Sequence, residues 1–289
     1  MSIAGVVTYN PDIERLKDNL SGITPQVDTV LLWDNGSDNF EQIKNLCSKL
    51  SDSIQIDSSG ENLGIAYALN KLAEKAMARG EENILFLDQD SVVGEGFYRT
   101  LAQYCNDDVA VISPTIADVH LSNRLTSSQR IPTKEVYLLP ITSGALTNLR
   151  VWEKIGKFDE RLFIDLVDTD FDIRAALNGY CSYRINGVVL SHEIGHTAPT
   201  GIPFPHIDNG RLVIRQGHRS GYSITRSYYQ VRNRIYVTAK YAEELKDMRL
   251  QLQSVSYAIF RMLVFEPHRI QRIKAIFAGI RDSKKLLKP

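Results

Sequence analysis

Two carboxylates one residue apart, Asp88 and Asp90 of Asp88-Gln89-Asp90, end the apolar run Asn83-Ile84-Leu85-Phe86-Leu87. On an extended segment alternate side chains share a face, so one carboxylate can reach a hydrated divalent ion while the other reaches a sugar hydroxyl. That is diphosphate chemistry; the plain alternative is a solvated turn at a strand end. A second acidic set follows at Asp165, Asp168, Asp170 and Asp172. Capping a helix that starts near Phe171 takes one side chain, Asp168 or Thr169, whereas four carboxylates within eight residues repel one another unless a cation or a proton-transfer role offsets the repulsion. Asp168 is read as a general base accepting a proton from an attacking hydroxyl, a role worth roughly 10²- to 10⁴-fold in rate.

Two further constellations carry chemistry. His192-Glu193-Ile194-Gly195-His196 matches the zinc-protease signature His-Glu-x-x-His. That motif needs a helix, and here strand-like Val188-Val189-Leu190 precedes it, Gly195 interrupts it and Pro199 follows. His192 at a strand end, as a single nitrogen ligand beside Asp90, is the better use, with a hydrogen-bonded structural histidine as the alternative. Between Arg226 and Arg234, Arg232 shares a helical face with Tyr228 and Tyr229 and would meet a diphosphate bidentately; a solvated helix face accounts for Arg226 and Arg234.

The elements that must position these residues alternate. Ile3 to Thr8, Val27 to Trp33, Ser53 to Asp57 and Ile84 to Leu87 read as strands, and each of the first three leads through a polar turn into a helical pattern, the third running from about Ile65 to Ala78. Such alternation implies a parallel sheet covered on both faces, whose ligands bind outside the carboxyl ends of the strands. Thr8, Asp34, Asn62 and Asp88 all fall at those ends. Later strands are expected at Val109 to Ser113, Glu135 to Pro140 and Val188 to Leu190, with a short helix at Val151 to Ile155. Residues 197–223, with three prolines and four glycines, read as a long lid-like loop, and helical pattern resumes near Tyr228. The Rossmann and P-loop glycine fingerprints are missing from the first strand-to-helix turn, so a metal would have to hold a pyrophosphate there.

The 289 residues suit one large α/β domain or two unequal lobes. Lys plus Arg equals Asp plus Glu, which gives no argument for nucleic-acid binding, but the segment from Arg249 onward carries nine basic residues against Glu266 and Asp282. In it Ile270, Ile273, Ile276, Phe277 and Ile280 form one helical stripe flanked by Arg269, Arg272 and Lys274. Such a stripe packs on the catalytic lobe or lies on an anionic membrane surface. Three scattered cysteines, no basic apolar leader and no apolar run of 18 residues point to a cytoplasmic chain with reduced thiols.

Taken in order, Val7-Thr8-Tyr9-Asn10-Pro11, Trp33-Asp34-Asn35-Gly36-Ser37, Glu61-Asn62-Leu63-Gly64, Leu87-Asp88-Gln89-Asp90-Ser91 and Leu162-Phe163-Ile164-Asp165-Leu166-Val167-Asp168-Thr169-Asp170 resemble the motifs of family 2 glycosyltransferases. The resemblance covers residues 1 to about 240. Val167-Asp168, the His-Glu-Ile-Gly-His run and Tyr228-Tyr229-Gln230-Val231-Arg232-Asn233 look most like bacterial rhamnosyltransferases of O-antigen and cell-wall polysaccharide assembly.

The resemblance implies an α/β GT-A fold, a Rossmann-like mainly parallel sheet with helices on both faces, plus C-terminal helices. It divides the chain into a catalytic domain over 1–240, with a nucleotide-binding part (1–115) and an acceptor part (116–240), and a basic amphipathic helical region over 241–289. It implies inverting transfer from a nucleotide sugar, dTDP-L-rhamnose favoured over a UDP-hexose, to a lipid-linked or polysaccharide acceptor at the inner membrane face. Thr8, Asp34 and Asn62 would line the base and ribose pocket, Asp88 would touch the ribose or sugar, and Asp90, assisted by His192, would ligate Mg²⁺ or Mn²⁺. Asp168 would be the base, with Asp165 or Asp170 as rivals because Val167 replaces the usual preceding Glu; Asp165 and Arg232 would contact substrate. The Gln-x-x-Arg-Trp motif of processive synthases is missing, which favours single-sugar transfer. A sugar-nucleotide pyrophosphorylase, which should carry a basic glycine-rich loop where this chain has Asn10-Pro11-Asp12, and a non-catalytic nucleotide-sugar-binding protein are the rival readings.

Overall fold

The computed structural model describes residues 1–118, 132–192, 198–208, 211–248, 252 and 254–287, in two compact units. The first comprises Met1–Phe163 and Val167–Glu193, the second Ile164–Leu166 and Ile194–Pro289.

In the first unit the strand–helix alternation read from the sequence is present. In chain order the elements are β1 (Ile3–Thr8), α1 (Ile13–Ile23), β2 (Thr29–Asp34), α2 (Phe40–Leu50), β3 (Ile54–Ser58), α3 (Ile65–Ala78) and β4 (Asn83–Asp88). After them come β5 (Val92–Val93), α4 (Phe97–Ala102), β6 (Val109–Asp118), β7 (Thr133–Val136), β8 (Ala145–Asn148), α5 (Leu149–Lys154), α6 (Val167–Leu177) and β9 (Cys181–His192). All six residues of β1 are buried, as a strand covered on both faces requires. Helix α1 covers one face with Leu16, Leu20 and Ile23, and Asp12 caps it by accepting from the Arg15 amide.

The strand order is β3-β2-β1-β4-β8-β6-β9-β5, with β7 also on β9. The first four strands are parallel, as expected. Beyond β4 the sheet is mixed: β8 runs antiparallel to β4 and β6, β6 is parallel to β9, and β5 and β7 pair antiparallel with β9. The result is a parallel-rich α/β sheet.

The second unit corrects one reading. Residues 197–223 are not a loop throughout: β10 (Ala198–Asp208) and β11 (Arg211–Arg219) form an antiparallel ribbon. A two-stranded ribbon has two free edges, so Pro199, Pro203 and Pro205 need not donate to a ladder, and the register shifts between Pro199 and Pro203. Four helices follow, α7 (Ile224–Lys240), α8 (Ala242–Asp247), α9 (Val255–Phe265) and α10 (Arg269–Leu286). Val231, Ala258, Met262 and Ile276 form the core of α7, α9 and α10. Gly279 sets the approach of α10 to α7, since a Cβ there would meet the Tyr228 carbonyl oxygen at 2.8 Å. The apolar stripe on α10 therefore splits. Ile276 and Ile280 pack inward, while Ile270 and Phe277 are 72% and 68% exposed.

Candidate active site

Four strand-end loops of the first unit are tied together by side-chain hydrogen bonds. Thr8 Oγ1 at the end of β1 donates to Asp34 Oδ1 at the end of β2, at 3.1 Å. The other Asp34 oxygen accepts from the amides of Gly36 and Ser37 and from the Ser58 hydroxyl on β3. Asp34 is wholly buried, so its carboxylate shapes this loop from within. Asn35 carries the linkage onward: its amide donates to Asn62 Oδ1 at 3.0 Å and its carbonyl oxygen accepts from the Leu63 amide. Gln89 extends the linkage in the other direction, accepting from the Tyr9 amide at 2.8 Å. Thr8, Asp34, Asn62 and the Asp88–Asp90 turn thus share one end of the sheet, as their positions in the sequence suggest.

The turn after β4 is held from below. The buried Asn19 amide on α1 donates to the carbonyls of Asp88 and Ser91, and the Asp88 amide donates to Ser143 Oγ at 3.1 Å. Asp88 and Asp90 keep part of their surface at solvent. Among the described residues no three His, Cys, Asp or Glu side chains converge as a metal cage. Two hard carboxylates at one turn fit Mg²⁺ or Mn²⁺ in the manner of a nucleotide-bound cation, for which phosphate oxygens and water supply the other ligands. His192 is the last residue of β9, where β5 pairs antiparallel through Val92↔Ser191. Continuing that register by one residue sets the His192 backbone opposite Ser91, next to Asp90. His192 itself lies on a strand, not on the helix that the zinc-protease motif needs; the rest of that motif falls in residues 193–197, outside the described residues.

Helix α6 begins at Val167, four residues earlier than the sequence suggests, so Asp168 lies within its first turn instead of capping a later one. Negative charge is favoured there by the open amides of the helix start. Thr169 donates to Asp168 Oδ1 through its amide at 2.7 Å. Asp170 is fully buried and its Oδ2 accepts from Arg174 Nε at 2.9 Å, while the Arg174 guanidinium also bonds the carbonyls of Ile155 and Lys157. Asp170 is thus held in a buried ion pair with Arg174. Asp172 is buried, its Oδ2 has no hydrogen-bond partner among the described residues, and with Asp168 it borders a cavity of about 10 Å³ that also touches Thr142 and Phe171. Burial raises its pKa well above the ordinary carboxylate range, the Asp168 charge raises it further, and Arg174 opposes both.

Two glycines set the loop spacing. At Gly36, φ is +81° and a Cβ would meet the Glu61 backbone at 2.6 Å; at Gly64, φ is +93° and a Cβ would meet the Phe163 carbonyl oxygen at 2.7 Å. Ile65 donates its amide to that same oxygen at 2.6 Å, which seats Phe163 on the Asn62 loop. The backbone ahead of α6 is left-handed at Phe163, Asp165 and Leu166, with φ of +62°, +67° and +64°. Such conformations cost about 1–3 kcal/mol each and gather at functional sites.

In the second unit Asp165 pairs with Arg226, whose Nη2 lies 2.9 Å from Oδ1, and the buried Asn233 amide bonds the carbonyls of Ile164 and Asp165. Arg232 stacks on Tyr229 at 4.6 Å and Tyr228 at 5.5 Å and donates Nε to Asn233. Sequence reasoning missed Asn19, Gln89, Ser143 and Asn233, each of which holds the backbone of a predicted residue through a contact distant in sequence. Burial pushes the thiols of Cys47 and Cys105 up to about 11, so both are neutral at physiological pH and unsuited to nucleophilic work.

Comparison with known proteins agrees with this geometry. The model of glycosyl transferase family 2 matches residues 4–170. The chain is 29% identical over 258 residues to the dTDP-rhamnosyl transferase RfbF of Shigella flexneri, covering 82% of this chain and 79% of the relative. Its fold is similar to that of the mannosyltransferase PcManGT from Pyrobaculum calidifontis in complex with GDP-Man and Mn²⁺, with a TM-score of 0.57, 15% identity, and 99% of this chain and 78% of that chain covered. GalNAc-T7 with UDP, GalNAc and Mn²⁺ superposes with a TM-score of 0.56 at 13% identity, over 67% of this chain and 43% of that one.

Proposed function

Since the chain belongs to glycosyl transferase family 2, and so is a glycosyltransferase of GT-A fold, we propose that it transfers L-rhamnose from dTDP-L-rhamnose to an acceptor hydroxyl with inversion at the anomeric carbon. The carrying observation is the series of side-chain bonds that joins Thr8, Asp34, Asn35 and Asn62 and, through Gln89 on Tyr9, the Asp88–Asp90 turn, at the carboxyl ends of neighbouring parallel strands. The choice of rhamnose follows the relative's donor, and a UDP-hexose is the competing donor.

In this reading residues 1–115 handle the donor and 116–240 the acceptor. Thr8, Asp34 and Asn62 line the base and ribose pocket. Asp88 takes a ribose or sugar hydroxyl, and Asp90, with His192 at the adjoining strand end, would hold Mg²⁺ or Mn²⁺. The cation would neutralise charge on the leaving diphosphate. The acceptor oxygen bonds the anomeric carbon as the bond from that carbon to the diphosphate oxygen breaks, and the acceptor proton passes to Asp168. Asp165, which pairs with Arg226, and Arg232, which stacks on Tyr228 and Tyr229, are the proposed substrate contacts.

The acceptor is proposed to be a lipid-linked or polysaccharide hydroxyl. Among the described residues no helix is long and apolar enough to cross a membrane. The exposed Ile270 and Phe277 beside Arg269 and Lys274 suit peripheral contact with an anionic bilayer. The deciding experiment is thermal-shift screening of nucleotide sugars with Mn²⁺, because a true donor stabilises by mass action. dTDP-L-rhamnose should give the largest shift; a larger shift with a UDP-hexose reassigns the donor, and none with any nucleotide sugar sinks the reading.

A further inference from the structure

Within the second unit, α7, α9 and α10 enclose a cavity of about 260 Å³ bordered by Tyr222, Gln230, Arg234, Arg261, Glu266 and Arg272. A second, more open hollow shares Phe265 and Glu266 with it and adds Arg219, His268 and Arg269. Five guanidinium groups and one carboxylate therefore border the two. That carboxylate is partly engaged: Glu266 Oε1 accepts from the Ser220 amide, and Oε2 lies 3.5 Å from Arg272 Nη2 as an ion pair without a hydrogen bond among the described residues. Arg272, 2% exposed, spends its other donors on the carbonyls of Tyr222 and Pro267 and on the Ser227 hydroxyl.

Arg234 is different. Its Nε is buried and has no hydrogen-bond partner among the described residues, and burial lowers its pKa, with Asp165 only partly offsetting this. A desolvated guanidinium with an unused donor is costly unless an anion meets it. The open hollow adds a second observation. It includes Arg269, Ile270 and Gln271, the start of the 18-residue helix α10, whose N-cap His268 makes no side-chain capping bond. The positive end of a helix dipole thus borders the same space as Arg219 and Arg269. The volume far exceeds what one water needs. Planar forks arriving from several helices suit an anion that accepts from several directions, as a phosphate does.

We propose that this pair of adjoining cavities is a binding site for a phosphate-bearing group, distinct from the strand-end site of the first unit. Phosphate of this kind comes from a soluble diphosphate or from a lipid headgroup. The inference does not rest on the transfer reaction proposed above.

The test is calorimetric titration of the full chain with inorganic pyrophosphate in the presence of a chelator, paired with co-sedimentation on phosphatidylcholine vesicles with and without phosphatidic acid. Arg234→Gln removes the charge. Gln230→Glu, one turn before Arg234 on α7, fills the cavity with a carboxylate that pairs with it and preserves the fold. Both should weaken binding roughly tenfold or more, whereas Asp90→Ala should leave it unchanged. Arg234-dependent binding of pyrophosphate identifies a soluble source, and Arg234-dependent binding of phosphatidic acid vesicles alone identifies a headgroup. Binding of neither ligand, binding indifferent to both cavity variants, or binding lost in Asp90→Ala overturns the proposal.

Discussion

Asp172 lies one turn beyond Asp168 on α6, and both carboxyls border the same small cavity. The two cannot both be charged cheaply, and the cost falls on Asp172: burial, with the Asp168 charge adding to it, raises its pKa, while Asp168 sits in the first turn. For a buried acid with a raised pKa, the folded state binds a proton that the unfolded chain has released. Stability is then greatest below the ordinary value of 3.8 and falls as pH rises above it, by up to about 1.4 kcal/mol per pH unit until the folded-state pKa is reached. Asp172→Asn should remove that slope, so the melting temperature of the variant should exceed that of the parent increasingly as pH rises above the ordinary carboxylate value of 3.8. Parallel melting curves at all pH values would show that Asp172 is ionised in the fold.

The three acids nearest the start of α6 separate by experiment. Asp168→Asn should lower transfer by roughly 10²- to 10⁴-fold with donor affinity and melting temperature little changed. Asp170→Ala strands the 17% exposed side chain of Arg174 and should cost about 3–5 kcal/mol in stability, visible in denaturant unfolding. Asp165→Asn weakens only the pair with Arg226 and should be the mildest for the fold. Full turnover in Asp168→Asn would move the base to Asp165.

How much of this was legible in the sequence depends on how local its cause is. The bounds of β1 and α3 follow from β-branched or alanine-rich runs stopped by turn residues, and both strand-end acids and the Asn62 loop followed from them. Strands β5 and β8 did not. Val92–Val93 is too short to carry a period, and Ala145–Asn148 pairs with strands far off in sequence. The ribbon of β10 and β11 was hidden by prolines that only a free edge tolerates. In the site, Asp170 and Asp168 look alike as letters; what distinguishes them is Arg174, a guanidinium fixed by the carbonyls of Ile155 and Lys157. Gln89 read as a spacer between two acids, yet it binds the backbone of Tyr9, eighty residues away.

Asp90 carries the metal assignment. Asp90→Ala should keep the parent's melting temperature without ligand, because the residue is part-exposed in a turn whose backbone is held by Asn19 and Ser143. It should lose the extra stabilisation that Mn²⁺ gives with a nucleotide sugar, and transfer should fall by roughly a hundredfold or more. Transfer at the parent's rate, with unchanged metal dependence, would falsify the assignment.

Gly64 offers the sharpest test of how the site is spaced. An alanine there meets two penalties: a left-handed φ of +93°, and a Cβ 2.7 Å from the Phe163 carbonyl oxygen that also accepts from the Ile65 amide. Gly60 is the natural control, since its φ is +74° but a Cβ would meet nothing within 4 Å. Gly60→Ala should therefore show the backbone cost alone, about 1 kcal/mol. Gly64→Ala should cost about 1–3 kcal/mol more, each kcal/mol lowering the melting temperature by roughly 2–4 °C in a chain of this size. Because Gly64 donates its amide to Asn62 Oδ1, Gly64→Ala should also weaken donor binding, while Gly60→Ala leaves it intact. Equal effects of the two substitutions on both readouts would mean that the Phe163 contact does not position the Asn62 loop.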